Sequence, residues 1–392
     1  MTLPKAEPAI LTDQLLEAFG ARAPEYDREN RFFDQDFEEL RSANYLKLAI
    51  PTEFGGMGLN LAQVSQQQRR LAYRAPATAL ATNMHLYWTG VAADLRRMGD
   101  ASLEWLLEEA AAGEVFAAGH GERGNDLPLF LSTARAERVD GGYRLFGRKM
   151  FGSLTPVWTR LGIHAMDADD PRGPHVVHVF MPRDTDGYHI EETWDTLGMR
   201  ATRSDDTVLE GAFVPDKYVA RVLPAGMPDL FVLSIFAWAE TTFGSIYLGA
   251  AERAKDLAID GAHKRTSLAL SRPMAYHPEV QHCVAEMVLA LEAAGAFIDR
   301  VADEWARGVD HGHDWPMKLV AAKHVAVEAA KKVVDLALTT SGGSGMFRSS
   351  ELERLYRDIR CGGFHPANGL LVPEIVGKIA MGIDLGEQPR WG

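Results

Sequence analysis

Cysteine is nearly absent: the chain has two, Cys283 and Cys361. Two cysteines so far apart build no disulfide framework and suit a reducing compartment. Basic charge is also short, with 41 Lys and Arg against 54 Asp and Glu and a net charge of −13. That balance argues against nucleic acid or an anionic membrane as partner, because both require a basic face. No run approaches the roughly 20 apolar residues of a membrane span. Met1 to Leu15, interrupted by Lys5, Glu7 and Asp13, has no apolar core of leader length. Internal repeats and low-complexity tracts are missing too. These absences leave an acidic, soluble, cytoplasmic protein of enzyme size. Its 392 residues exceed one core and imply two or three packed units.

What is present falls into three blocks. Over residues 1–118 apolar side chains recur three and four apart, as in Phe37 and Leu40 or Leu103, Leu106 and Leu107, which is the helix period. Pro51, Gly55, Gly56 and Gly58 interrupt it with a loop. Helices are expected over Leu61 to Tyr73 and Leu80 to Met98. Over residues 119–224 short runs rich in Val, Ile, Thr and Phe are separated by Gly, Pro and Asp. Asp140-Gly141-Gly142 is a hairpin signal, and Asp206 to Pro215 reads as a last strand ended by proline. This block is expected to be a compact antiparallel β-domain. Over residues 225–392 helices return at Ser234 to Gly261, Pro278 to Gly308 and Trp315 to Thr340, with a fourth from Glu351, enough for a four-helix bundle. His311 and His313 lie in a Gly-bearing loop without further spaced ligands and read as a solvated turn, so no metal is expected.

Within this order stand short motifs: Pro51-Thr52-Glu53-Phe54-Gly55-Gly56-Met57-Gly58, Gly119-His120-Gly121-Glu122-Arg123-Gly124-Asn125-Asp126, Gly147-Arg148-Lys149-Met150-Phe151-Gly152-Ser153, Gly198-Met199-Arg200-Ala201-Thr202, Gly342-Gly343-Ser344-Gly345 and Arg357-Asp358. Together they resemble the acyl-CoA dehydrogenase superfamily, flavin enzymes that desaturate acyl thioesters, over nearly the whole chain. The resemblance implies an α+β multidomain fold with an N-terminal helical domain, a middle antiparallel β-barrel domain and a C-terminal four-helix bundle. It also implies FAD. Glu122, Gly124 and Asn125 take the place of the family's flavin-contacting Thr-Glu-Pro-x-x-Gly-Ser-Asp segment. Phe151 and Ser153 match the aromatic cover of the flavin ring and the hydroxyl at its N5 edge. Arg265, Gly342, Gly343 and Gly345 match groups near the flavin diphosphate, and Asn368 closes the set. Arg200 and Thr202 are expected beside the site in an architectural role. Family members share flavin contacts between subunits, so a homo-oligomer, dimer or tetramer, is expected, with an electron-transfer or flavin-reductase partner.

The chain departs from the family at the catalytic base. Where most members carry Tyr-Glu-Gly-Thr, it has His365-Pro366-Ala367-Asn368. Counting from Asp358, Pro366 takes the place of the Glu; the alternative base position used by some relatives falls on Ser234. Glu240, six residues further along the same helix, is about 240° around it from Ser234. It remains a candidate base, while Glu374 reads as a helix-surface residue. His85, Ser153 and His365 resemble the two histidines and serine of another branch, the two-component flavin monooxygenases. Histidine suits proton traffic there because its reference pKa is near 6.5. Two reactions therefore stay open: dehydrogenation of an acyl-CoA or similar thioester, and oxygenation by reduced flavin. A flavin-binding scaffold without turnover is the third reading.

Overall fold

The computed structural model describes residues 10–269 and 271–387. The reading of Met1 to Leu15 as lacking a leader falls mostly outside them. Five helices come first: α1 (Asp13–Glu29), α2 (Asp34–Ser42), α3 (Leu61–Ala72), α4 (Pro76–Arg97) and α5 (Glu104–Ala112). α3 starts in a reciprocal capping box between Asn60 and Gln63. α4 begins four residues ahead of the expected Leu80, because proline is tolerated in a first helical turn, where its missing N–H costs nothing.

The strands follow: β1 (Phe116–Ala118), β2 (Arg135–Val139), β3 (Gly142–Lys149), β4 (Arg160–Asp167), β5 (His175–Pro182), β6 (Tyr188–Glu191), β7 (Asp206–Pro215) and β8 (Val219–Pro224). Among the described residues they form one sheet in the order β6-β7-β3-β2-β4-β5-β8, with β1 beside β4. The β2–β3 hairpin turns at Asp140-Gly141, and β7 covers the run expected for it. Two points correct the sequence reading. β1 pairs in parallel with β4, so the sheet is not wholly antiparallel, and Phe116–Ala118 go with the sheet instead of with the residues before 119.

Five more helices complete the chain: α6 (Leu230–Lys264), α7 (Pro278–Ala306), α8 (Trp315–Ser341), α9 (Glu351–Arg360) and α10 (Leu371–Ala380). α6 begins four residues before Ser234, where the Asp229 carboxylate accepts from the Val232 N–H. It is long and apolar enough to cross a membrane by length and composition, which the sequence reading passed over. Its apolar window is 83% buried inside the protein, so α6 is the central core helix. α7 and α8 both lie close along it because position 244 is glycine: a Cβ there would stand 2.6 Å from Ile298 Cδ1 on α7 and 3.2 Å from Ala326 Cβ on α8. One contiguous apolar core runs through all three blocks, and a small second cluster of Val320, Ala367, Leu371 and Val372 sits between α8 and α10.

Candidate functional site

Glu240, Phe243 and Tyr247 follow one another at spacings of three and four on α6, so they share a face. The loop after α9 crosses that face. The His365 ring stacks on Phe243 with centroids 4.5 Å apart and planes at 21°, and its Nε2 lies 2.7 Å from the Tyr247 hydroxyl. Tyr247 keeps its proton, since burial pushes its pKa well above the ordinary value. His365 as a residue is partly open to solvent, but its ring is densely surrounded, and burial together with the nearby Lys323 ammonium holds its pKa below the usual range.

Glu240 is buried at 2% exposure, and its Oε2 has no hydrogen-bond partner. The carboxylate accepts from the Ala367 N–H and stands 3.9 Å from Lys323 Nζ. Burial pushes its pKa up to about 7, against the pull of Lys323 and the Ala367 amide. The structure thus brings Glu240 and His365 to one place. The 240° offset from Ser234 pointed Glu240 away from the expected site, but the loop after α9 approaches α6 on the Glu240 face. Ser234 is buried with its hydroxyl unpartnered. Asn368 Oδ1 accepts from the N–H groups of Leu370 and Leu371 at the start of α10.

A second group forms at the edge of the sheet. Phe151 is 55% exposed, with φ at 61°, and meets Trp194 edge-on at 5.9 Å. Gly121 lies against it, and a Cβ there would fall 2.6 Å from the Phe151 ring. Behind it Ser153 opens a chain of hydroxyls, with Ser153 Oγ 2.7 Å from Ser204 Oγ and that oxygen 2.7 Å from Thr202 Oγ1. The Met199 N–H donates to Asp358 at 2.6 Å, so the Gly-Met-Arg loop and the Arg-Asp motif of α9 dock on each other.

Three residues expected at the site have their side chains engaged within the protein. Glu122 accepts from Ser132, Thr133, Ala134, Asn125 and Lys149. Both of its carboxylate oxygens are engaged and pin the Gly119–Asp126 segment, and the Asn125 side chain is engaged in the same knot, which leaves only backbone here to meet a ligand. His85 Nε2 faces the Leu46 carbonyl at 3.0 Å, and its Nδ1 accepts from the Phe116 N–H at 3.1 Å. With both nitrogens committed and burial lowering its pKa to about 4, His85 is a neutral ring joining α4 to β1. Gly124, by contrast, faces open space.

The third group lies at the end of α8. Arg265, Ser341, Ser344 and Gly345 line a cavity of ≈190 Å³, and Gly343 beside it is open. Arg265 donates to the carbonyls of Thr340 and Ser341, so part of its guanidinium caps the helix end. The protruding Phe151 ring, the open Gly124 and Gly343 and this cavity fit a flavin: an aromatic face for its ring and bare backbone for its phosphates. Among the described residues no group of three or more His, Cys, Asp or Glu side chains is placed to hold a metal ion.

Tyr247 and Lys323 are the members the sequence reading missed. A signal existed for each: Tyr247 is seven residues beyond Glu240 on the same helical face, and Lys323 interrupts the alanine-rich apolar side of α8.

Residues 241–369 match the family model described as acyl-CoA dehydrogenase, C-terminal domain. The chain is 30% identical to YdbM of Bacillus subtilis (strain 168), which carries a provisional acyl-CoA dehydrogenase name, across 90% of this chain and 91% of that one. It belongs to the acyl-CoA dehydrogenase superfamily. Another member, amino sugar nitrososynthase DnmZ of Streptomyces peucetius, is also 30% identical, across 95% and 92%. The solved nitrososynthase of Micromonospora carbonacea var. africana superposes with a TM-score of 0.82 at 26% identity, covering 94% of this chain and 95% of that one. The superfamily fold is therefore the one expected, whereas its members differ in the reaction their names record.

Proposed function

We propose that this superfamily member is a flavin-dependent monooxygenase that works with reduced flavin and dioxygen. One observation carries the reading: where the dehydrogenases present their base, this chain presents a His365–Tyr247 pair, and the Glu240 carboxylate is buried beside the Lys323 ammonium. A reduced flavin at Phe151 would supply the two electrons that divide dioxygen between substrate and water. His365 and Tyr247 would hold the proton that this division consumes, at Nε2 or at the phenol oxygen. When the Tyr247 hydroxyl donates to Nε2, the ring's own proton sits on Nδ1. Ser153 would meet the flavin edge through the end of its hydroxyl chain. The likeness to nitrososynthases, over nearly the whole chain, agrees with this reading. FAD is the flavin assigned, delivered reduced by a separate reductase. Assembly of two or four copies is supported by Met346 and Phe347, which stand exposed beside the Gly345 cavity.

The unpartnered Oε2 of Glu240 favours a second reading, dehydrogenation of an acyl thioester with Glu240 as base. One experiment separates the two. Reduced protein is mixed with isotopically labelled dioxygen and panels of amines, aromatics and sulfur compounds; the oxidised protein is mixed anaerobically with acyl-CoA esters. Label in a product supports the monooxygenase. Bleaching of the flavin by a thioester, abolished in Glu240→Gln and without label in any product, overturns it.

A further inference from the structure

Lys323 rises from α8 into the turn that carries His365 and is buried at 2% exposure. Its ammonium donates to three successive carbonyls, those of His365 at 3.0 Å, Pro366 at 3.3 Å and Ala367 at 2.9 Å. An ammonium has three hydrogens, so all are spent on this turn. Glu240, 3.9 Å away, feels the charge and receives no hydrogen from it, which is why its Oε2 stays unpartnered. The same carboxylate takes the Ala367 N–H. Ala367 is thus gripped from both sides, at its carbonyl by α8 and at its amide by α6. Gly244 lets Lys323 reach: its position faces the Lys323 Cα, where a Cβ would stand at 3.4 Å.

The cost of this arrangement bears on its purpose. A buried lysine and glutamate are expensive to desolvate, and a contact ion pair would recover more of that cost than one held 3.9 Å apart. Apolar side chains would fill the space between α6 and α8 more cheaply. The ammonium instead spends its donors on backbone that no helix or strand satisfies, in the turn whose first residue is His365.

We infer that Lys323 is a positioning residue: its ammonium clamps the His365–Ala367 backbone and so sets the imidazole against Phe243 and Tyr247. The inference rests on the assignment of His365 to proton handling. The charged and titratable groups around the turn are Glu240 and Tyr247 on α6, Lys323 and His324 on α8, and Asp358, Arg360 and Cys361 at the end of α9. α10, packed on α8, carries the Glu374–Lys378 ion pair. Among these groups the Lys323 charge is the one that pushes the His365 pKa down beyond the effect of burial.

The test is a titration of the full-length protein labelled at histidine, followed by NMR, with the His365 signal identified by its loss in His365→Gln. In Lys323→Met, similar in volume but without charge or donors, the His365 midpoint should rise by about half a pH unit or more. Lys323→Gln, which keeps donors but not the charge, should also raise the midpoint. It should retain more turnover than Lys323→Met, and it serves as the readable variant if Lys323→Met does not fold. An unmoved midpoint in a folded variant overturns the clamp, as does equal turnover in wild type and both variants. The titration reads the clamp whether or not oxygen is consumed. Absence of oxygen-dependent product with wild type therefore counts against the monooxygenase reading alone.

Discussion

Among the described residues lie two buried lysine–glutamate pairs, Lys149–Glu122 beside the sheet and Lys323–Glu240 between α6 and α8, and every partner is at most 2% exposed at its side chain. The sheet pair is a contact pair inside a closed network, with Glu122 also held by Ser132 Oγ at 2.5 Å and the Thr133 N–H at 2.9 Å. The helix pair is separated, and one glutamate oxygen has no donor. Donors and charge hold the Glu122 pKa below its ordinary value in spite of burial, whereas burial prevails at Glu240 and lifts it to about 7. Saturation by donors, not burial, separates a carboxylate that only holds structure from one left with chemical capacity.

The sharpest break of that comparison is Glu122→Gln, which strands the Lys149 ammonium inside the protein. A loss of about 3–5 kcal/mol is expected in urea unfolding, the range for an orphaned buried charge. A loss below 1 kcal/mol would show that the sheet pair is as loose as the helix pair. Next comes His365→Gln, which leaves both pairs intact. Turnover should fall by ~10²–10⁴-fold, the range for removing a general acid–base group, with unfolding unchanged.

A histidine cluster beside the sheet pair sharpens its pH behaviour. His120 and His164 meet at 3.2 Å between their Nδ1 atoms, and His164 pairs across the strands with His178, whose ring nitrogens are both unpartnered. Burial first, and then Lys149, holds all three below the ordinary value of 6.5, at about 3 for His178. Below pH 6.5 the unfolded chain takes up protons that the folded chain refuses, so stability falls with falling pH. The slope should approach ~1.4 kcal/mol per pH unit for each such ring. His178→Phe should flatten this acid limb, read as melting temperature against pH.

The smallest effect belongs to Glu240. Its folded pKa is raised from 4.5 to about 7, so the folded state holds a proton that the unfolded state has lost. That contribution is full below pH 4.5 and fades as pH rises through 7, opposite to Glu122, whose stabilisation is lost as pH falls through its depressed folded pKa. Glu240→Gln should change stability at neutral pH by less than about 1 kcal/mol. A loss as large as that of Glu122→Gln would erase the distinction between the pairs.

Local pattern carried far in this chain. Helix periodicity located α3, α7 and α8 to within two residues at each end, and Asp140-Gly141-Gly142 marked the hairpin that forms. Motif resemblance led to the superfamily. What it left open is how the side chains at the expected site positions are engaged. Glu122, Asn125 and His85 each stand at a plausible site position, and each has its side-chain polar atoms engaged within the protein. For Glu122 and His85 the deciding partners, Lys149 on one side and Leu46 and Phe116 on the other, arrive from other segments, which no local window contains.

The sequence alone determined the order of helical and strand blocks, the superfamily frame and the loss of a carboxylate at the usual base positions, because these follow from residue type and local spacing. Tertiary structure decided which polar groups are satisfied, that Glu240 and His365 both come to lie beside Lys323, and that Lys323 from a distant helix grips the turn. Those outcomes arise from how α6, α8 and the turn after α9 pack, and burial and hydrogen bonding are properties of that packing.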